Sequence, residues 1–264
     1  MSKKAVLVVS FGTTHLDTME KTIAAIEQDI RAAMPERVFH RAFTSSIVRR
    51  RLGENSYMQV DSPIEAMEKL ADEGYTNLVL QPTHVLSGEE YSKLMHSVHK
   101  YVDRLPMAVG KPLLTALEDY CGMCKAIMAV LPEKPADTCH IFMGHGTEHR
   151  ANPVYTQLEY MFHDMGRDDI LIGTVEGYPA LEQVERRLME REGVKNVVLR
   201  PLMVVAGDHA KNDLNGDDAD SWRSVLTAEG YTVSADLRGL GEYAGIRELF
   251  VEHALAAQAE LEQS

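Results

Sequence analysis

Short apolar runs rich in β-branched residues alternate along the chain with longer stretches in which apolar residues recur at helical spacing. Lys4 to Ser10 (KAVLVVS) is almost continuously aliphatic and ends at Phe11-Gly12-Thr13-Thr14, the pattern of a strand buried on both faces and its C-terminal loop. From Thr18 to Met34, residues Met19, Ile23, Ile26, Ile30 and Met34 fall on one helical face, and Pro35 stops the run. Val38 to Phe43 predicts a second strand, followed by a polar, basic connection containing Arg49-Arg50-Arg51. Ser62-Pro63-Ile64-Glu65 has the form of a capping box with proline in the first helical position, so a helix opens there and closes near Gly74. Leu78 to Leu80 predicts a third strand, and a helix follows from about Glu90 to Val102. A further helix-like run extends from Leu114 to Leu131.

The second half repeats the plan. Strands are expected at His140 to Met143, Ile170 to Val175, Val197 to Leu199 and Tyr231 to Ala235. Helices follow Asn152-Pro153 and Pro179, then lie around Trp222 to Ala228 and from about Ala244. Strand and helix alternating in this way specify an α/β protein with doubly wound parallel sheets. The two halves also match residue by residue. Gly74 to Pro82 lies over Gly193 to Pro201, a register that continues to Gly88 over Gly207 and is offset by 119 positions. Gly12 to His15 lies over Gly146 to His149, offset by 134 positions, so the first half carries 15 more residues between the two matches. Thr44 to Asp61, with its arginines, is the natural place for them. We therefore expect two lobes, residues 1–125 and 126–264.

At 264 residues, each half is long enough to bury a core. A net charge of -13 argues against a nucleic-acid or anionic-membrane surface, both of which need a basic footprint. No apolar run approaches the roughly 20 residues that span a bilayer, and the start leads directly into a strand, so a cytoplasmic protein is expected. The three cysteines do not suggest a disulfide framework. Cys121 and Cys124 have CxxC spacing within a helical run but no second pair, and read as buried or half-buried helix cysteines.

Three metal-competent residues fall at equivalent places. His145 lies between two glycines directly after a strand, Glu176 precedes Gly177 after the next strand, and His209 follows Gly207-Asp208 after the third. Parallel strands deliver their C-termini to one edge, where open α/β sheets bind ligands, so residues distant in sequence can meet. Two imidazoles and a carboxylate suit a divalent transition ion and leave coordination positions open, as chemistry or hand-over requires. His84 and His149 lie in loops at the same edge, where a secondary role and a structural one both stay open, whereas His96, His99 and His163 read as helix surface or boundary residues. Neither a phosphate loop, nor a GxGxxG fingerprint, nor a GxSxG elbow occurs.

Ser10-Phe11-Gly12-Thr13-Thr14, Met143-Gly144-His145-Gly146-Thr147, Val175-Glu176-Gly177-Tyr178-Pro179 and Gly207-Asp208-His209-Ala210, in that order, resemble the anaerobic sirohydrochlorin cobaltochelatases of the CbiK type. These are class II chelatases similar in fold to ferrochelatase. The resemblance covers nearly the whole chain. It implies two Rossmann-like lobes related by pseudo-two-fold symmetry, holding sirohydrochlorin while Co²⁺ is inserted without ATP. It also implies no permanently bound cofactor, with cobalt as substrate. Its metal ligands and catalytic groups fall on His145, Glu176 and His209. The expected roles are metal ligand and principal base for His145, ligand and second base for His209, and ligand and charge balance for Glu176. Arg49, Arg50 and Arg51, with Lys211 and Arg150, are candidates for the substrate's carboxylates. Phe11, Leu86 and Met203 are candidates to line the ring faces, and Thr13 and Glu89 are included as substrate contacts on the same loops. Chelatases taking Fe²⁺ or Ni²⁺, or acting on another tetrapyrrole, remain alternatives, as does a non-catalytic metal or tetrapyrrole carrier; Zn²⁺ also suits the donor set. The expected partners are the tetrapyrrole and a divalent metal, with no nucleic acid or membrane. Monomer and homo-oligomer both stay open.

Overall fold

In the computed structural model, residues 3–56 and 58–263 are described. The chain forms two compact units, one comprising residues from the start to Asp119 together with those from Ile246 onward, the other Tyr120–Gly245.

The first unit is built on a four-stranded parallel sheet in the order β2-β1-β3-β4. Its strands are β1 (Lys4–Ser10), β2 (Val38–Phe43), β3 (Asn77–Pro82) and β4 (Met107–Val109). Around them run α1 (Leu16–Lys21), α2 (Ile23–Ala33), α3 (Ser46–Ser56), α4 (Pro63–Asp72) and α5 (Glu89–Val98). Aliphatic residues fill both sides of β1. Leu7 and Val9 pack with Leu70 of α4 and Leu94 of α5, while Ile23, Ile26 and Ile30 of α2 are also buried. The capping box forms as expected, with Ser62 Oγ accepting from Glu65 N at 3.2 Å and the Glu65 carboxylate accepting from Ser62 N at 2.7 Å.

The second unit repeats this order as β6-β5-β7-β8. Its strands are β5 (Thr138–Gly144), β6 (Ile170–Thr174), β7 (Asn196–Pro201) and β8 (Thr232–Ala235), with α7 (Val154–Asp164), α8 (Leu181–Met189) and α9 (Trp222–Ala228). Ile141, Met143, Leu171, Val184, Leu199, Trp222 and Leu226 share its core. At the edge of the sheet, Glu159 of α7 accepts the backbone N–H of Ile172 in β6. Arg187 of α8 pairs with Glu159 and donates to the carbonyl of Ile172 at 3.0 Å.

The internal repeat extends to individual backbone bonds. Thr44 N donates to Ser10 O as Val175 N does to Gly144 O, Ser45 N to Phe11 O as Glu176 N does to His145 O, and Thr83 N to Val9 O as Leu202 N does to Met143 O. Phe43 N closes on Asp61 O at 2.9 Å and Thr174 N on Pro179 O at 2.7 Å. Eighteen positions separate the first pair and five the second, so most of the extra residues sit where the sequence places them.

Several elements differ from the sequence reading. The arginine segment is a helix, α3, not an irregular connection. The helix expected over Thr18 to Met34 breaks at Thr22, whose hydroxyl donates to Thr18 O at 2.6 Å and whose backbone leaves the helical region. The run from Leu114 to Leu131 is helical only in α6 (Leu117–Met128), because the Asp119 carboxylate accepts from Thr115 N and Ala116 N and fixes a turn ahead of it. Cys121 is half-buried on α6 and Cys124 buried, with burial pushing the Cys124 thiol up to about 12, so these cysteines do pack as helix residues. The last helix, α10 (Ala244–Gln263), was expected to close the second lobe, yet from Ile246 it groups with the first unit. Arg247 pairs with Asp29, His253 with Asp119, and Gln258 with Arg37. Among the described residues, no helix is long and apolar enough to cross a membrane.

Two buried histidines make the fold acid-sensitive. His140 in β5 is 1% exposed, and both its ring nitrogens lack a hydrogen-bond partner among the described residues. Burial, reinforced by the Arg200 charge, pushes its pKa down to about 4. His84, beyond β3, also has both nitrogens buried and is pushed to about 4 by burial. An unfolded chain protonates histidine near 6.5. Between about pH 6.5 and 4 the unfolded state therefore binds protons that the folded state refuses, so stability is complete above that window and falls as pH drops through it. Urea midpoints measured at a series of pH values are expected to fall in this window. His140→Gln should make the fall shallower by about one proton's linkage, whereas slopes identical to wild type would remove His140 as a cause.

Candidate metal centre

The order of the second sheet explains why three distant residues meet. β5 sits between β6 and β7, and the chain order reverses direction across β5 and β7, the place where open α/β sheets leave a crevice at the strand C-termini. His145 follows β5 directly, Glu176 lies two residues beyond β6, and His209 comes after the loop leaving β7. One ligating atom from each of the three lies within 4.8 Å of the others.

Backbone bonds set this spacing. Val175 N donates to Gly144 O at 3.1 Å and Glu176 N to His145 O at 2.8 Å, prolonging the β5–β6 pairing into the ligand loops. Gly146 has φ +81°, and a Cβ there would stand 2.6 Å from Gly177 N and 2.7 Å from the Thr174 Cβ, so the two loops touch where only glycine fits. Asn152 ties them from the side. Its Oδ1 accepts from Thr147 N at 3.0 Å, and its Nδ2 donates to Tyr178 O at 2.5 Å. Tyr155, from α7, fills the space beside Gly144, and its hydroxyl accepts from Gly146 N at 3.2 Å.

The side chains remain accessible, at 48% of full exposure for His145 and 60% for Glu176. Glu176 Oε2 lies 3.7 Å from His145 Nδ1. The two imidazoles meet edge to face, with centroids 4.8 Å apart and planes at 89°. His145 Nδ1 lies 3.1 Å from the Gly146 carbonyl, which only accepts, so the neutral ring is protonated there and carries its lone pair on Nε2. Two imidazoles and one carboxylate are a donor set of the kind divalent transition ions take, here accessible to solvent and with too few donors to fill a coordination sphere.

The other sequence-selected residues divide between the units. Met203 lies in the second, half-buried beside its core. Phe11, Thr13, Arg49, Arg50, Arg51, Leu86 and Glu89 lie in the first, in loops and helices that follow strand C-termini. Phe11 is 53% exposed, whereas Thr13 is buried and its hydroxyl accepts from His15 N at 3.2 Å, a local turn bond. Leu86 bridges to Leu114, and Glu89 pairs with Lys93 at 3.0 Å. The three arginines are not equivalent. Arg49 is tied to Glu65 at 3.2 Å, while Arg50 and Arg51 are exposed and form no ion pair among the described residues. The positions matching the triad are Phe11 for His145, Ser45 for Glu176 and, by sequence register, Glu90 for His209. Among the described residues, the triad of the second unit is the only such group. His149 serves its own loop, its Nδ1 accepting from Ala151 N at 3.2 Å. Sequence reading missed Asn152 and Tyr155, which carry no motif, and Asp213, whose four-residue spacing from His209 was a legible signal.

A family model described as cobalt chelatase (CbiK) matches residues 4–259. The chain belongs to the cobalt chelatase (CbiK) family. This cobalt chelatase is 40% identical over 252 residues to the sirohydrochlorin cobaltochelatase of Salmonella typhimurium, a match covering 95% of each chain. It is 35% identical over 267 residues to the sirohydrochlorin cobaltochelatase CbiKC of Nitratidesulfovibrio vulgaris, covering 99% of this chain and 93% of that relative. Among solved structures, SirB from Bacillus subtilis with Fe³⁺ aligns with a TM-score of 0.67 at 14% identity, over 99% of this chain and 98% of that one, a likeness of fold. The cobalt chelatase is thus an enzyme whose α/β fold and family coincide with what its sequence implies.

Proposed function

We propose that this cobalt chelatase inserts Co²⁺ into sirohydrochlorin without ATP, using His145, Glu176 and His209 to hold the ion and to receive the protons it displaces. The observation that carries the reading is the open cluster of two imidazoles and one carboxylate, its ligating atoms within 4.8 Å, in a chain 40% identical to a sirohydrochlorin cobaltochelatase. Metallation exchanges one divalent cation for two pyrrole N–H protons, so the charge of the site and its contents is conserved once both protons leave. Neutral imidazoles suit both tasks, because each nitrogen that releases the metal becomes free to accept a proton. His145 serves as ligand and principal base, His209 as ligand and second base, and Glu176 balances the charge of the bound ion. A three-donor site leaves positions for ring nitrogens to enter while protein ligands depart one at a time. The enzyme works as a cytoplasmic protein.

The test is anaerobic incubation of the protein with sirohydrochlorin and Co²⁺. Absorbance of the cobalt product is expected to grow through many equivalents per protein, whereas a carrier stops at one. Running Fe²⁺, Ni²⁺ and Zn²⁺ in parallel ranks the metals, which this donor set separates poorly by itself.

The polycarboxylate substrate needs local positive charge on an acidic protein. Arg50 and Arg51 supply it from one face of α3, with exposed Ile47 beside them at helical spacing. Replacing both arginines with alanine is expected to raise KM for sirohydrochlorin about 3- to 10-fold, the scale of two solvent-exposed ion pairs, and to leave Co²⁺ binding unchanged. An unaltered KM in steady-state assays would remove α3 from the substrate's grip.

A further inference from the structure

Asp213 stands directly behind one of the metal ligands. It lies four residues after His209, within the π-helical turn Ala210–Leu214, and its Oδ2 is 2.7 Å from Nδ1 of His209. An ionised carboxylate offers only acceptors, so Nδ1 is the protonated nitrogen of a neutral His209 and Nε2 carries the lone pair. Without such a partner, an imidazole turns about its Cβ–Cγ bond and exchanges tautomers, and its donor nitrogen is then displaced or protonated for part of the time.

The two histidines solve this problem by different means. His145 is held by the carbonyl of Gly146, a backbone group delivered with the loop itself. His209 comes after a longer excursion from β7, and a side chain holds it. That side chain is carried on wide helical backbone, with Gly216 N closing on Asn212 O at 2.8 Å immediately after. Short π-helical turns are rare and are frequently found at functional sites.

We propose that Asp213 is a positioning residue for metal capture, holding His209 as the Nδ1–H tautomer so that Nε2 is the nitrogen free to bind the ion. This rests on the reading of His145, Glu176 and His209 as the metal site. Carboxylates hydrogen-bonded behind ligating histidines fix ring orientation, and their removal weakens metal binding by roughly 10- to 100-fold.

The test titrates Co²⁺ chloride into the full-length protein without tetrapyrrole, for wild type, Asp213→Asn and Asp213→Ala, and measures initial rates with sirohydrochlorin for each. Asp213→Ala is expected to lose about 10- to 100-fold in Co²⁺ affinity and to raise KM for Co²⁺ correspondingly, with KM for sirohydrochlorin unchanged. Asp213→Asn keeps an oxygen that accepts from Nδ1–H and is expected to recover most of the affinity. Nitrogen-15 shifts of His209 should report the Nδ1–H tautomer in wild type and in Asp213→Asn, and a tautomer mixture in Asp213→Ala. That measurement on the folded fraction separates misplacement of the ring from loss of fold. Wild-type Co²⁺ affinity in Asp213→Ala overturns the proposal, as does an equal loss in Asp213→Asn, which would assign the effect to charge instead of orientation. Co²⁺ binding that depends on Asp213 as described, in a wild-type protein that forms no cobalt sirohydrochlorin, supports the positioning role and defeats the chelatase reading alone.

Discussion

His145→Ala is expected to lower the turnover of Co²⁺ insertion by about 10²- to 10⁴-fold, the range lost when a positioned proton acceptor is removed. Two effects combine in that figure. The variant loses a nitrogen donor, which weakens capture of the ion, and it loses the residue proposed as principal base. His145 lies 3.7 Å from Glu176 Oε2 and 4.8 Å between centroids from His209, so its loss takes one of the two imidazoles out of the cluster. The fold should survive. The side chain is 48% exposed and, among the described residues, hydrogen-bonds to the neighbouring carbonyl alone, so stability is expected to move by no more than about 0.5 kcal/mol. Product absorbance and thermal melting followed by circular dichroism separate the two quantities. Near wild-type turnover in a folded variant would sink the assignment of His145.

Gly146→Ala tests the frame behind the ligands and is expected to damage both stability and metal binding. An alanine at φ +81° is strained by about 1–3 kcal/mol before any contact is considered. Its Cβ would also meet Gly177 N at 2.6 Å, and that neighbour is backbone, unable to turn aside like a flexible side chain. Relief comes only by moving the β6 loop away from the β5 loop, which breaks the bond from Glu176 N to His145 O and separates two of the three ligands. The expected outcome is a fall of several degrees in melting temperature together with Co²⁺ affinity at least tenfold weaker. Wild-type Co²⁺ affinity at wild-type stability would show that the contact between the loops does not set the ligand spacing.

The strands other than β4, the nearness of the three candidate ligands and the repeat were legible because each rests on a local signal. A buried parallel strand is an aliphatic run bounded by glycine or a turn, and Lys4–Ser10, Thr138–Gly144 and Asn196–Pro201 all have that form. His145 and Glu176 stand just beyond such runs and His209 in the loop leaving the next, so strand order brings all three to one edge of the sheet. What escaped depends on contacts that sequence spacing does not encode. Helix α3 carries three arginines and Gly53 and buries Leu52 as its anchor, leaving no periodic apolar stripe to read. β4 spans three residues, too few to establish alternation. The allegiance of α10 to the first unit is decided by single tertiary bonds such as His253 to Asp119 and Arg247 to Asp29. Asp213 was visible as a carboxylate four residues beyond a histidine, but its meaning required the 2.7 Å approach.

The pair formed by Glu159 and Arg187 has a consequence beyond its own helices. β6 is an edge strand, and such edges recruit strands from other chains because their outward N–H and C=O groups lie unpaired. Here the donor and the acceptor at Ile172, the middle residue of the strand, are already occupied by a carboxylate and a guanidinium. An intruding strand would have to displace both, which would leave a buried carboxylate without its partner. The protection works by occupancy and not by repulsion, so it travels with the folded unit.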